Sequence, residues 1–361
     1  MKMFSFFKKH WKAIVFKPLF LIVIIVLTCM GLNFILVPPH TSNTIGTFMT
    51  DFKSQKEDVD ILFLGSSRSF RGIDTASLSE DLNMNIFNLS QETPSYASIY
   101  HVFLEAYKYS KPKEVFLEVS TRNFIRSYGS RDSYIYRFLT GENRENFKSF
   151  FNIKYNDFSL FEFSNFLEYF SSGDFKQNIQ FKIAAMQGNI SKSVNSKGKY
   201  KGKGYLEAYS IAKQENLVLP KSYFIDGKLW EDSFVNKNQI QYFYDIIEFC
   251  QNNEIKVTLY SPLYYKDILM SNKEDFMKFD LFIDNILNQY NIEYLDFSKI
   301  RKNFLTITAD MFFDANHCNF NGAAALEPII AEILVQKMNN TYNHSAWFYN
   351  NYLEFAAAYI E

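Results

Sequence analysis

Only three of the 361 residues are cysteine, Cys29, Cys250 and Cys318, and one of these falls in a long apolar run. So odd and sparse a set argues against a disulfide framework. Neither sign of charge is in excess: 38 Lys and Arg stand against 39 Asp and Glu. No broad basic surface follows, and no nucleic-acid partner is expected. Metal-ligand patterns are missing too. There is no His-Glu-x-x-His and no Cys-x-x-Cys, and with five histidines in all, no metal site is expected. The phosphate-cradling G-x-x-x-x-G-K-[ST] is likewise absent. No cofactor is implied by any motif.

What the chain does have is apolar and aromatic mass, 47% hydrophobic and 18% aromatic, enough for a large core. Its length suits one large α/β domain plus an anchor. "KPLFLIVIIVLTCMGLNFILVPP" carries no charge between Lys17 and the Pro38-Pro39 pair. About 20 apolar residues match the hydrocarbon thickness of a bilayer, and a secretory signal core is usually ~7–15. The expectation is a retained transmembrane helix over 18–39. Lys2, Lys8, Lys9, Lys12 and Lys17 precede it, placing segment 1–17 in the cytoplasm and the rest outside. An exported domain with few thiols fits a bacterial envelope.

Residues 40–58 are polar and read as a linker, followed by an extracytoplasmic domain over 59–340. Nearly continuous apolar runs predict strands at 60–65, 85–90, 114–120, 256–262 and 292–298, the pattern of a parallel sheet covered on both faces. Helical patterns fall around 75–82, 96–110, 238–252, 272–290 and 321–338. The fold class is therefore α/β, with reactive residues expected in loops at the carboxyl ends of strands. Segment 121–237 breaks this rhythm and reads as a helical insertion forming a cap. Its aromatics at 158–170 have core spacing. Its lysines at 191–205 suit a solvated loop or, as a second reading, a contact for an anionic polymer. The tail, 341–361, suits a helix on the domain or on the membrane surface.

Four histidines, His10, His40, His101 and His344, lie in flanks, a helix or the tail. His317 alone follows the last strand and precedes the last helix, with Asp314 three residues earlier. A carboxylate so placed can fix the ring tautomer and stabilise the imidazolium formed when Nε2 takes a proton. The proton source is offered by "DILFLGSSRSF", residues 60–70, where a strand stops at glycine and Ser67 would leave the carboxyl edge of the sheet. A serine hydroxyl becomes nucleophilic only with a base in reach. Cys318 reads as a small buried residue rather than a nucleophile.

Strand–Gly-x-Ser near the start and Asp-x-x-His near the end resemble the SGNH hydrolase superfamily, a three-layer, flavodoxin-like architecture. "FLGSSRSFRGID", "FNLS", "KPKEVFLEVS" and "FFDANHCNFNGA", with the amino-terminal anchor, resemble its membrane-anchored envelope branch, which includes DltD of teichoic-acid D-alanylation and the alginate and peptidoglycan O-acetylation proteins. The resemblance covers roughly 55–120 and 255–335. It implies Ser67 as nucleophile, His317 as base and Asp314 as orienting acid. Oxyanion donors are expected after the second and third strands, where Asn88 and Asn123 are the candidates; the glycine usual after the second strand is missing from "NLSQET". Arg68 is either a contact for an anionic acceptor or a structural partner of a nearby acid. The branch further implies acyl transfer to an envelope or secreted polysaccharide, with a membrane-bound O-acyltransferase as partner. An esterase, a D-alanyl-transfer protein and a non-catalytic polysaccharide-binding homologue are the alternatives, as is an unrelated carbohydrate-binding domain using the aromatic insertion.

Overall fold

The computed structural model describes residues 16–28, 31, 44–126, 135, 138–150, 183 and 198–360. The chain divides into two compact units, one of 1–42 with 153–193, the other of 43–152 with 194–361. In the first, residues 16–28 are helical with exposed side chains. Most of the rest of 18–39, and all of 158–170, lie outside the described residues. Among the described residues no helix is long and apolar enough to cross a membrane.

The second unit is built on five strands, β1 (Ile61–Leu64), β2 (Ile86–Asn88), β3 (Glu114–Glu118), β6 (Lys256–Ser261) and β7 (Glu293–Asp296), in the order β2-β1-β3-β6-β7. Every pairing among them is parallel. Each strand falls inside an apolar run predicted above, because residues pointing to both faces are buried: Leu62, Phe63 and Leu64 are all fully inaccessible. Helices cover both sides. Ile61, Phe63, Phe116 and Tyr260 share a core with Leu326, Ile330 and Ile333 of the last long helix, α10 (Phe320–Met338). Helices α4 (Tyr96–Tyr107) and α7 (Lys237–Asn252) pack together elsewhere, through contacts such as Tyr96–Phe243 and Phe103–Phe249.

Three expectations are corrected. Residues 40–58 are not simply a solvated linker: Thr44–Lys53 forms α1, burying Ile45, Phe48, Met49 and Phe52 against the aromatics Phe70, Phe87 and Tyr200. That i, i+3, i+4, i+7 stripe is a helix face, diluted in the sequence by threonines. Segment 121–237 is not wholly helical. Beside short helices α5 (Thr121–Ile125) and α6 (Gly141–Phe150) it holds an antiparallel hairpin, β4 (Gly198–Gly202) with β5 (Tyr205–Ala208). Gly202, Lys203 and Gly204 turn it with positive φ. The hairpin docks on the main sheet: the Asn88 amide donates to the Lys203 carbonyl at 2.9 Å, and any Cβ on Gly204 would overlap the Asn88 carbonyl. Its lysines are not a free array, since Lys203 Nζ donates to Gln55 and Asn85 and Lys201 pairs with Glu207 at 3.4 Å.

The tail packs on this unit. Helix α12 (Tyr352–Ile360) buries Phe355, and the Tyr352 hydroxyl donates to Asp296 Oδ2 at 2.6 Å. Asp296 is 1% exposed, with Lys299 as its ion-pair partner at 3.8 Å. Tyr352→Phe removes one donor from a buried carboxylate and is expected to cost about 1–3 kcal/mol. A urea denaturation midpoint unchanged from wild type would show that the tail contributes nothing through this contact.

Candidate active site

Gly65 and Ser66 decide how the chain leaves β1. The register pairs Leu64 with Leu117, so Gly65 lies alongside Glu118, and a Cβ on Gly65 would overlap the Glu118 side chain. Glu118 is fully buried and binds Ser66 twice, accepting from its backbone N–H at 2.5 Å and from its Oγ–H at 2.8 Å. Ser66 also caps the next helix, α2 (Ser67–Gly72), its Oγ accepting from the Arg68 amide at 3.2 Å. Of the two hydroxyls after the strand, one is thus consumed in fixing the turn. The other, Ser67, stands free of it.

Ser67 Oγ lies 2.7 Å from His317 Nε2. The imidazole is held from behind by Asp314, whose two carboxylate oxygens lie 2.8 and 2.9 Å from Nδ1. The carboxylate is itself positioned locally, accepting from the backbone N–H of Asn316 at 2.8 Å and of His317 at 3.0 Å. Burial pushes the Asp314 pKa up, but these hydrogen bonds and the neighbouring imidazole outweigh it and hold the carboxylate below its ordinary value. With Nδ1–H donated to Asp314, Nε2 presents its lone pair to the serine proton.

His317 is carried on a small hairpin, β8 (Phe312–Asp314) with β9 (His317–Cys318), set directly before α10. Asn319 ties the two together. Its Oδ1 caps α10 by accepting from the amides of Asn321 and Gly322, while its Nδ2 donates to the carbonyls of Asp310 and Phe312. Cys318, next to His317, is buried, and desolvation pushes its thiol up to about 12, so it offers no thiolate.

The remaining sequence candidates divide. Asn88 is wholly buried and committed, its Nδ2 donating to Ser69 Oγ at 3.1 Å and its Oδ1 accepting from the Ser90 amide at 3.0 Å. Asn123, on α5 beyond β3, keeps a buried Nδ2 with no hydrogen-bond partner. Arg68 takes the structural reading. It is 6% exposed, stacks its guanidinium 3.6 Å over the Tyr264 ring, donates to the Pro262 carbonyl at 2.6 Å, and lies 3.9 Å from Glu118. Its guanidinium is thus turned onto Tyr264 and Pro262 inside the domain and is not presented to solvent.

Glu118 is the residue that sequence reading missed. Burial raises its pKa, opposed by Arg68, the two Ser66 hydrogen bonds and His317. An acid directly after the apolar run Val115–Leu117 was the available signal, because a fully buried carboxylate must be paired.

No family model matches the chain, and no curated protein matches it. Among solved structures, a protein assigned as an acylhydrolase from Bacteroides fragilis aligns with 81% of this chain and 94% of its own at 12% identity and a TM-score of 0.38. A GDSL-like lipase from Bacteroides thetaiotaomicron aligns with 84% of this chain and 100% of its own at 10% identity and a TM-score of 0.37. Likeness at that level leaves the argument with the site itself.

Proposed function

We propose that the chain is a serine-dependent acyl-ester enzyme of the SGNH kind, with Ser67 as nucleophile, His317 as base and Asp314 as its orienting acid. The observation that carries the reading is the continuous hydrogen-bonded line from Ser67 Oγ through both ring nitrogens of His317 to Asp314. In the first half-reaction Ser67 Oγ attacks the ester carbonyl while its proton passes to His317 Nε2. The ester C–O bond then breaks, and that proton goes to the departing alcohol. An acyl-serine remains. His317 next deprotonates water or an acceptor hydroxyl, which attacks the acyl carbon and returns Ser67.

Water as acceptor makes the chain an esterase; a sugar or polyol hydroxyl makes it an O-acyltransferase. We favour transfer to a cell-envelope or secreted polysaccharide, on the strength of the apolar 18–39 stretch and its lysine-rich amino-terminal flank. That arrangement would hold the active unit outside the bacterial membrane, beside a membrane-bound O-acyltransferase supplying acyl groups. Of the two asparagines we favour Asn123 as the oxyanion donor, because the Asn88 side chain is committed to Ser69 and the Ser90 amide. Asn123→Ala is expected to lower kcat on a p-nitrophenyl ester by about 10²-fold; a change under twofold would remove it from the site.

A second reading, a polysaccharide-binding homologue without turnover, draws on the missing glycine in "NLSQET". Labelling with a fluorophosphonate separates the two. The full-length protein should be labelled at Ser67 and the Ser67→Ala variant should not. Absence of labelling in the wild-type protein would favour the binding reading.

A further inference from the structure

Four residues beyond Ser67 on the same helix stands Arg71, and residues spaced i, i+4 project from one helical face with Cβ atoms roughly 5–6 Å apart. Arg71 is 7% exposed, and its Nη1 is buried with no hydrogen-bond partner. Among the described residues no ion pair within 4.0 Å includes it. Its guanidinium lies 5.2 Å from the Phe313 ring, whose residue immediately precedes Asp314 in the triad hairpin. Buried arginines are ordinarily saturated, because five donors in a fixed fork are costly to strip of water without acceptors. Arg68, three residues earlier, also leaves its Nε and Nη1 without hydrogen-bond partners, but its Nη2 donates to the Pro262 and Leu263 carbonyls and Glu118 pairs with it at 3.9 Å. Among the described residues Arg71 has neither a hydrogen bond nor an ion pair. Two acids, Glu92 and Asp314, share the field of Arg71. Both have other partners: Glu92 accepts from Thr44 Oγ1 at 2.9 Å, and Asp314 holds His317.

We propose that Arg71 forms an anion subsite beside Ser67, its open donors taking a carboxylate or phosphate group of the substrate. This rests on the acyl-ester reading of Ser67 and narrows the substrate to one bearing negative charge near the ester. The planar fork suits two oxygens of such a group, and the Phe313 ring backs it. The two acids weaken the field, so the bound anion is exchangeable and an isolated group is held with a Kd of about 1 mM.

The test uses inorganic phosphate and acetate as probes of the full-length protein, titrated calorimetrically at constant ionic strength. At least one is expected to bind in the millimolar range and to inhibit p-nitrophenyl acetate turnover competitively. Tighter acetate assigns a carboxylated substrate and tighter phosphate a phosphorylated one. Arg71→Gln should weaken binding at least tenfold. Arg71→Lys, which keeps the charge without the fork, should fall between, and it carries the comparison if the glutamine variant shows no cooperative melt. Absence of binding in wild type, an unchanged Kd in the variants, or binding without competition would each overturn the subsite. Binding is read without turnover, so a protein that binds through Arg71 but hydrolyses nothing keeps the anion site and loses the acyl-ester reading. One that hydrolyses esters but ignores both anions does the reverse.

Discussion

Replacing Ser67 by alanine is expected to lower turnover of p-nitrophenyl acetate by on the order of 10⁴-fold or more, with the thermal melting curve preserved. The fold should tolerate the change because Ser67 does not hold the turn: Ser66 caps α2 and binds Glu118, and the Ser67 hydroxyl has His317 as its partner. His317→Ala should fall to a similar level. The double variant should be no worse than either single one, since a nucleophile without its base and a base without its nucleophile fail at the same step. A Ser67→Ala protein retaining more than about a tenth of wild-type turnover would remove this hydroxyl from the chemistry.

The largest effect on stability is expected at Glu118. Its carboxylate is the ion-pair partner of buried Arg68 and takes two hydrogen bonds from Ser66. Glu118→Ala would leave the guanidinium without an acid and the Ser66 amide without an acceptor, at a cost of about 3–5 kcal/mol. It should also loosen the Gly65–Ser66 turn, so residual turnover should fall even at temperatures where the variant stays folded. Glu118→Gln gives a separate, signed readout. The folded protein raises the Glu118 pKa, so it binds that proton more tightly than the unfolded chain does. Stability from this group is therefore complete below the ordinary glutamate pKa and declines as pH climbs through the raised folded value. Wild type should lose stability over that interval relative to Glu118→Gln in urea titrations. A difference between the two that is flat with pH would mean that Glu118 does not titrate in the folded state.

The residues around Ser67 show where sequence reading works and where it stops. Ser67, Asp314 and His317 were legible because each sits at a position with a local meaning: the second residue after a strand and its glycine, and an acid three places before a ring. Arg68 and Arg71 were not separable in that way. Both follow Ser67 closely in "SSRSFRG", and only helical geometry sends one to Glu118 and Tyr264 and the other onto the face that carries Ser67. Asn88 looked as available as Asn123 until its amide was seen bound to Ser69 and Ser90.

Strand order follows the same division. Strands of three to six residues, covered on both faces, declare themselves in one dimension, since burial on both sides leaves little room for polar alternation. The polar hairpin over 198–208 and helix α1 do not, because each is amphipathic or turn-rich and owes its place to a surface supplied by distant parts of the chain. By itself the sequence determined the parallel α/β scaffold and the three residue types proposed for catalysis, because strands, caps and turns are written in neighbouring positions. Only the tertiary structure decided that Ser66 is held by Glu118 while Ser67 meets the imidazole within hydrogen-bond distance, and which arginine is paired with Glu118 and which has no acid within ion-pair distance. Those outcomes depend on residues some 50 to 250 positions apart arriving within hydrogen-bond or ion-pair distance.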